Sequence, residues 1–571
     1  MTLFEKFSII KPIFEKLYKL LTRKHKIYLA ILLILTIGFS FVETLGISAI
    51  MPFISLVSDP GLLASGFYKK AYDFFQFNNI ESFLIVFGIS IIIFYFFRAI
   101  YSVFMTYLIN RYSSGMYKHF SKKIFKTILL VPYRIYALKN SGELMHSISS
   151  ESLDVSRITL NLLQFLSEIF TVLMVYAVII FLNWKMTLIV TAILLIIVFS
   201  MLSILINVNK KQGEKKLISG RKINRTLKET LGNFKYIKLK GNEEDILHTY
   251  DVDIEVQTRS TVINNVLGII PKSILESIGF SLLIAAVVFI IWMYNDASRV
   301  IPIISMYALA LYRILPSIHR MLQNVNNIAY AQKTLESVFD SLHQPIVMEG
   351  FEQVSFNKSI HLENIRFSYL TSAEIISDIS LKIKKGEKIA ITGKSGSGKS
   401  TLVDIIIGIH KPLSGKVYID DTALTDVNIR SWRKKIGYIP QSIYLFDGTV
   451  AENVSFGSQF DEEKIKTALI KANIWDFLSQ KEGLNTLVGD GGIQLSGGQQ
   501  QRIGIARALY DDPEVLVLDE ATSALDTETE QKIMDEIYSV SANKTLIVIA
   551  HRLSTVERCD RRISIENGEI N

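Results

Sequence analysis

The sequence predicts two parts of different fold class: a helical membrane domain with six spans, and an α/β domain after it. Of the 571 residues, 49% are hydrophobic, and the mean hydropathy is +0.30, which is too apolar for a soluble protein of this length. The long apolar runs lie in roughly the first 320 residues, and the remainder has the composition of an ordinary α/β domain. A membrane domain therefore precedes a soluble one.

The membrane domain is predicted from apolar stretches of about 20 residues, the length that crosses a bilayer. Six such stretches cover residues 27–57, 82–108, 164–182, 186–206, 273–294 and 300–321. Because six is an even number, both ends of this domain are expected on the same side of the membrane.

The distribution of Lys and Arg predicts which side that is. Seven cations precede the first span, eight lie between the second and third spans, and twelve lie from Lys210 to Arg259 between the fourth and fifth. The opposite loops hold only Lys69, Lys70, Lys185 and Arg299. Since positive loops stay in the cytoplasm, we expect a multi-pass membrane protein with both termini and the α/β domain cytoplasmic. The net charge of +8 is thus explained by cations that lie beside the membrane spans. No nucleic-acid partner is predicted.

The predicted boundaries are an amphipathic helix at the membrane surface over residues 1–22, the membrane domain over 23–330, a linker over 331–354 and the α/β domain over 355–571. The two long cytoplasmic connections are expected to be helical continuations of spans two to five, since structureless loops of about fifty residues are uncommon in compact domains. Their turns are predicted near residues 131–133 and 231–234, and plain surface loops are the alternative.

A phosphate-binding loop is the clearest motif of the second domain. An apolar strand ending at Thr392 leads into a Gly-rich loop, and a helical run follows it. The candidate nucleotide-binding residues here are Gly393, Lys394, Ser395, Gly396, Ser397, Gly398, Lys399, Ser400 and Thr401. The glycines let backbone amides converge on phosphates, Lys399 reaches the outer phosphates, and the Ser400 hydroxyl is placed for Mg²⁺.

Two further motifs follow along the chain. A second buried strand ends in Asp519 and Glu520; Asp519 is predicted to hold Mg²⁺, and Glu520 to deprotonate the attacking water. Between the two strands lies a turn that presents amide donors at the start of a helix. It consists of Leu495, Ser496, Gly497, Gly498 and Gln499.

This order of motifs resembles the ATPase domain of ATP-binding cassette (ABC) proteins, and the resemblance covers some 215 residues with seven elements in order. It implies that Tyr369 stacks on adenine, that Gln441 senses Mg²⁺ and the γ-phosphate, and that His551 contacts the γ-phosphate. It also implies that residues 523–526 cross a dimer interface. The candidate catalytic residues are therefore Glu520, His551 and Gln441, the candidate metal ligands are Ser400, Gln441 and Asp519, and the cofactors are ATP and Mg²⁺.

In that family two cassettes close head to tail over ATP, so a chain with six spans and one cassette resembles a half-transporter. The resemblance implies a homodimer, or pairing with a similar chain, and the order of the domains is that of the exporter branch. The segment 486–492 resembles the exporters' coupling loop, with Asp490 where many members have Glu. A soluble ATPase of chromosome maintenance is excluded, because only 97 residues separate Lys399 from Ser496, which leaves no room for a long coiled coil.

Within the exporters, the whole chain resembles the bacterial flippases of lipid-linked oligosaccharides. That resemblance implies ATP-driven movement of an undecaprenyl-diphosphate oligosaccharide across the inner membrane for protein glycosylation. It implies that the substrate is bound by Arg98, Lys272, Arg313 and Arg320. It also implies that residues 60–75 form a short external helix. The alternatives are export of lipid A, of another lipid, or of a drug or peptide, and an ATP-gated channel. The competing interpretation of Arg313 and Arg320 is a structural role, either in the cytoplasmic extension or in ion pairs with Glu43, Glu168 or Glu276.

Overall fold

The computed structural model describes residues 10–58, 66–77, 79–182, 184–294, 300–369, 374–519, 527–550 and 556–571. These form two compact units. The first consists of residues up to 129 together with 139–344, and the second of residues 130–138 together with 345–571. The segment 130–138, which the sequence places inside the membrane domain, thus clusters with the α/β unit.

The first unit is helical, as predicted. Its helices are α1 (Ile10–Leu20), α2 (Arg23–Ser58), α3 (Gly66–Phe74), α4 (Ile80–Leu130), α6 (Ser141–His146), a π-helix (Ser147–Glu151), α7 (Ser152–Leu182), α8 (Trp184–Gly232), α9 (Phe234–Lys240), α10 (Glu243–Tyr294), α11 (Val300–Tyr330) and α12 (Gln332–Leu342). The short helix α5 (Tyr133–Tyr136) belongs to the second unit.

Helices α4, α8 and α10 are 51, 49 and 52 residues long. At 1.5 Å per residue each extends about 75 Å, far more than the ~30 Å hydrocarbon core of a bilayer. The expected helical continuations are therefore present. Helix α4 ends at Leu130, and α8 ends at Gly232, so the chain turns at both predicted places.

Among the described residues, four helical stretches are long and apolar enough to cross a membrane: Arg23–Gly46, Ile80–Leu130, Ser141–Ala177 and Thr191–Gly232. The fifth and sixth predicted spans fall on α10 and α11, where many side chains lie outside the described residues. The predicted external helix corresponds to α3. Residues 59–65, which precede α3, do not belong to the described residues.

The N-terminal helix differs from the prediction in what covers its apolar face. Residues 1–9 lie outside the described part, but on α1 the side chains of Ile13 and Leu17 are buried in a protein core that also contains Leu335 and Val338 of α12. Phe14 remains 42% exposed. Protein rather than lipid covers much of this face, and the range expected to be a linker begins with α12, a packed helix.

The second unit is α/β, as predicted. Its strands are β1 (Ser359–Phe367), β2 (Ile376–Lys384), β3 (Lys388–Thr392), β4 (Ser414–Ile419), β5 (Thr422–Ala423), β6 (Ile436–Ile439), β7 (Val515–Asp519), β8 (Thr545–Ile549), β9 (Arg561–Glu566) and β10 (Glu569–Ile570). Its further helices are α13 (Lys399–Ile406), α14 (Ile429–Arg433), α15 (Val450–Val454), α16 (Glu462–Lys471), α17 (Trp475–Ser479), α18 (Gly497–Leu509) and α19 (Thr527–Val540).

Six of these strands form one sheet in the order β10-β9-β3-β8-β7-β6, in which the neighbours from β9 to β6 are parallel. A second, antiparallel sheet has the order β2-β1-β4-β5. Strands β7 and β8 are apolar and buried almost throughout, as expected for parallel strands covered on both faces. The carboxyl ends of β3, β8 and β7 therefore meet at one edge, where ligands of such sheets bind.

Candidate functional site

The Gly-rich loop lies at this sheet edge, between β3 and the start of α13. Gly393, Gly396 and Gly398 have φ angles of 147°, 82° and 102°, conformations that side-chain-bearing residues rarely adopt. A Cβ on Gly393 would stand 2.2 Å from the backbone oxygen of Ile565, so only glycine fits there. The loop is thus shaped to direct backbone amides at an anion at the helix start.

The predicted metal ligands are close together. The Ser400 hydroxyl, in the first turn of α13, lies 3.5 Å from Oδ1 of Asp519 at the end of β7. A hydroxyl and a carboxylate are the oxygen donors that suit Mg²⁺, so this donor set fits the ion. Lys399 Nζ donates to the backbone oxygens of Gly393 and Lys394 at 3.0 and 2.9 Å, which holds its ammonium group within the loop.

Two residues at this site, Tyr438 and Asp404, were not predicted from the sequence. Tyr438 on β6 donates its hydroxyl to Oδ2 of Asp519 at 3.0 Å, and burial together with the Asp519 charge raises the pKa of Tyr438. Burial, and then the neighbouring Asp519 carboxylate, raise the pKa of Asp404 on α13 to about 6. Both effects require that β6, β7 and α13 converge, which no local motif indicates.

The predicted adenine-stacking residue lies beside the same helix. The Tyr369 hydroxyl is 3.3 Å from the Thr401 hydroxyl, and the Tyr369 ring contacts the rings of Phe367 and His410 with centroids 5.2 Å apart in each case. His410 is buried, and its Nε2 lies 3.8 Å from a carboxylate oxygen of Asp404. The position of Tyr369 is therefore set by ring contacts with Phe367 and His410 and by its hydroxyl contact with Thr401 of α13.

Helix α5 adds a residue to this aromatic cluster. The ring of Tyr133 lies 5.6 Å from that of His410, and the backbone nitrogen of Val347 donates to the oxygen of Leu130 at 3.1 Å. The turn after α4 thus packs within the α/β unit, to which residues 130–138 belong. The sequence did not indicate His410 as the residue it touches.

The predicted signature turn caps α18. Ser496 accepts a hydrogen bond from the Gln499 backbone at 3.4 Å, and Gln499 Oε1 accepts one from the Ser496 backbone at 2.9 Å. This capping box fixes the first turn of the helix. Leu495 is buried, whereas Ser496 and Gly497 are exposed, so the turn is accessible to a second molecule.

The remaining predicted ATP-site residues are described only in part. Gln441 is exposed and follows β6, whose Ile439 pairs in register with Leu518 of β7. Glu520, residues 523–526 and His551 lie outside the described residues. Glu520 nevertheless directly follows Asp519, and the backbone partner of Asp519 on β8 is Ile549, two residues before His551.

In the first unit, two of the four predicted substrate residues form ion pairs. Arg98 donates to Glu43 at 2.9 Å, and Arg320 donates to both carboxylate oxygens of Glu168, at 2.5 and 3.0 Å. For Arg320 this is the ion-pair arrangement that the sequence analysis left open. Lys272 is exposed, and the side chain of Arg313 lies outside the described residues, so the substrate role of this set stays a prediction.

Comparisons with known proteins match both units. Residues 376–523 match the family described as ABC transporter, and residues 27–313 match the ABC transporter transmembrane region. The chain is 31% identical over 478 residues to the ATP-dependent lipid A-core flippase of Pseudomonas fluorescens, which covers 81% of this chain and 78% of that protein. It is also 31% identical over 408 residues to the protein of that name from Burkholderia pseudomallei, covering 70% and 68%.

Among solved structures, the fold resembles that of a bacterial Atm1-family ABC exporter with ATP bound. The TM-score is 0.78 and the identity 22%, over 96% of this chain and 94% of the other. Both of these relatives are named for lipid A-core and not for lipid-linked oligosaccharide. The order of the two matched domains and the shared fold identify the chain as a member of the ABC transporter family, an ATPase of the exporter type.

Proposed function

We propose that the protein is an ATP-driven flippase that moves a glycolipid across the bacterial inner membrane. The observation that supports a lipid rather than a drug or peptide is the similarity, over 81% of the chain, to proteins named lipid A-core flippase. A lipid A-type molecule is therefore the first candidate substrate.

The chemistry proposed for the cassette is hydrolysis of ATP held at the Gly-rich loop. The amides of 393–400 and the Lys399 ammonium bind the phosphates, and Ser400 and Asp519 would hold Mg²⁺, which neutralises phosphate charge when bound. Glu520 removes a proton from the attacking water, while Gln441 and His551 orient the γ-phosphate. Tyr369 binds the adenine ring.

We infer that two copies are needed for this reaction. The exposed turn at Ser496 offers amide donors at the N-terminus of α18, and in a homodimer it would complete the ATP site of the partner. The excess of Lys and Arg in three loops supports an orientation with both termini and the ATPase unit in the cytoplasm.

Undecaprenyl-diphosphate oligosaccharide is the second candidate substrate. Arg313 and Arg320 are seven residues apart on α11, which is about two helical turns, and together with Arg98 and Lys272 they supply four cations for a pyrophosphate. Because Arg98 and Arg320 are bound by carboxylates, the anion would have to compete with Glu43 and Glu168 for them.

Reconstitution distinguishes these candidates. Proteoliposomes with the parent protein, or with Lys399→Ala as the inactive control, are supplied with lipid A-core, with undecaprenyl-diphosphate oligosaccharide or with a fluorescent drug, and the ATP-dependent change in accessible substrate is measured. Movement of lipid A-core alone supports the first candidate, and movement of the oligosaccharide alone the second. Movement of the drug alone would refute the proposal of a lipid flippase.

The arginines are tested in the same vesicles. If they bind pyrophosphate, replacing Arg313 and Arg320 by Ala lowers flipping of the oligosaccharide much more than it lowers basal ATPase activity. Glu168→Gln is the control, because it removes the carboxylate partner of Arg320 and retains the cation. Equal loss of flipping and ATPase activity in the double variant would instead assign the arginines a structural role.

A further inference from the structure

A polar cavity lies within the helical unit. It has a volume of about 500 Å³ and is lined by residues of α2, α4, α7 and α11. This size is in the range of small-molecule binding sites. Polar side chains in a membrane domain are costly and by default functional, and ten of the thirteen lining residues are polar.

The charges at this cavity are compensated. Glu43 and Glu168 face it together with Arg320, and each carboxylate accepts a hydrogen bond from an arginine, Glu43 from Arg98 and Glu168 from Arg320. These two acids and two bases contribute no net charge. Removing one partner of such a pair leaves the other uncompensated, so the pairs favour an uncharged ligand over an anion that would have to break them.

The other polar groups of the cavity are amides and hydroxyls. Gln164, Gln323 and Asn324 line it, and no residue in the described part of the chain hydrogen-bonds to their side-chain amides. Each amide offers two donors and one acceptor oxygen, which matches ligand hydroxyl groups that both donate and accept. Phe39, Met105 and Ile109 add apolar surface suited to ring carbons.

We propose that this cavity binds the uncharged sugar portion of the lipid head group, with Gln164, Gln323 and Asn324 as its hydrogen-bonding residues. This inference rests on the proposed glycolipid flippase, and it names the part of the substrate that is recognised. The sugar is common to both candidate substrates, whereas their phosphates are not required at this site.

The test uses full-length protein in proteoliposomes and three probes that differ only in head group: diglucosyl diacylglycerol, phosphatidylglycerol and diacylglycerol without a head group. We expect diglucosyl diacylglycerol to stimulate ATP hydrolysis at lower concentration than the other two. Gln323→Leu combined with Asn324→Leu should raise its half-maximal concentration by at least about tenfold, because two hydrogen bonds are lost, and should leave basal hydrolysis unchanged. Gln257→Leu, an amide on α10 outside the cavity, is the matched control.

Binding of radiolabelled diglucosyl diacylglycerol, and the single variant Gln323→Ala, give a second measurement if the double variant folds poorly. Equal half-maximal concentrations for parent and double variant would overturn the sugar site, as would a parent protein that responds to phosphatidylglycerol and not to the glycolipid. If no lipid stimulates ATP hydrolysis by the parent protein and none is moved by it, the proposed flippase function itself fails. That outcome is distinct from failure of the sugar site alone.

Discussion

At the scale of single residues, the chemistry is expected to depend on the carboxylate next to Asp519. If Glu520 is the base that activates water, as proposed, Glu520→Gln should reduce ATP turnover by roughly 10²- to 10⁴-fold while ATP still binds. Lys399→Ala, which removes the cation proposed to bind the outer phosphates, should impair binding and turnover together. Turnover and binding of a fluorescent ATP analogue are measured for both. Near-normal hydrolysis by Glu520→Gln would reject its assigned role.

A second prediction at this scale concerns Asp404 and the stability of the folded protein in the absence of nucleotide and Mg²⁺. Its pKa is raised from 3.8 to about 6 in the folded protein, so the folded state retains this proton to a higher pH than the unfolded chain does. The titration of Asp404 therefore lowers the free energy of unfolding as the pH rises from about 4 to about 6. Above pH 6 this destabilisation no longer changes with pH.

Asp404→Asn should remove that contribution. Since the side chain is half-buried and partly screened by solvent, we expect a stabilisation of no more than about 2 kcal/mol at pH 7 and a smaller one at pH 5. Unfolding of the purified protein in EDTA at both pH values measures it, with exposed Asp447→Asn as control. A stabilisation that is larger at pH 5 than at pH 7 would contradict the proposed electrostatics.

At the scale of secondary-structure elements, helix α5 is the segment of the membrane-domain sequence that clusters with the ATPase unit. It contacts His410, which in turn packs on Tyr369. Tyr369, the residue proposed to stack on adenine, and Tyr133 of α5 thus contact the same buried ring, that of His410. We expect this shared contact to couple Tyr369 to the segment between α4 and α6.

His410→Ala and Tyr133→Ala are accordingly expected to reduce the stimulation of ATPase activity by the transported substrate. An aromatic pair contributes about 0.5 to 1.5 kcal/mol, which corresponds to a change of roughly two- to tenfold. Leu138→Ala, an exposed residue of the same segment, serves as the control. The ratio of stimulated to basal hydrolysis is the measurement, and an unchanged ratio in both variants would show that this contact does not couple the two activities.

At the scale of the whole molecule, head-to-tail pairing predicts complementation between chains. A mixed dimer of Ser496→Arg and Lys399→Ala has one site with both defects and one site with neither. Co-purified mixed dimers should therefore hydrolyse ATP faster than either variant alone. Tags of two kinds on the two variants verify that mixed dimers form. Absence of any recovery in verified mixed dimers would mean that both sites must work together or that the pairing is different.

The fold class was predictable, and the candidate ATP-site motifs could be recognised, because each depends on local order along the chain. The Gly-rich loop, the acidic strand end and the Ser-Gly-Gly turn are short segments, and their surrounding strands and helices follow from hydrophobic pattern. The sequence did not indicate Asp404, Tyr438 or His410, because each is placed at the site by contact with a residue more than twenty positions away along the chain. The N-terminal helix shows the same limit, because its pattern reveals an apolar face and not whether lipid or α12 covers it.

The charges of the membrane domain separate the two sources of information most clearly. From the sequence alone, Arg98 and Arg320 are cations within or near apolar spans, and this establishes that they need a compensating partner. Which partner they have depended on helix packing: α2 brings Glu43 to Arg98, and α7 brings Glu168 to Arg320. Residue type and spacing along the chain determine what a side chain can do, whereas the distance to residues far along the chain determines which of those interactions is made.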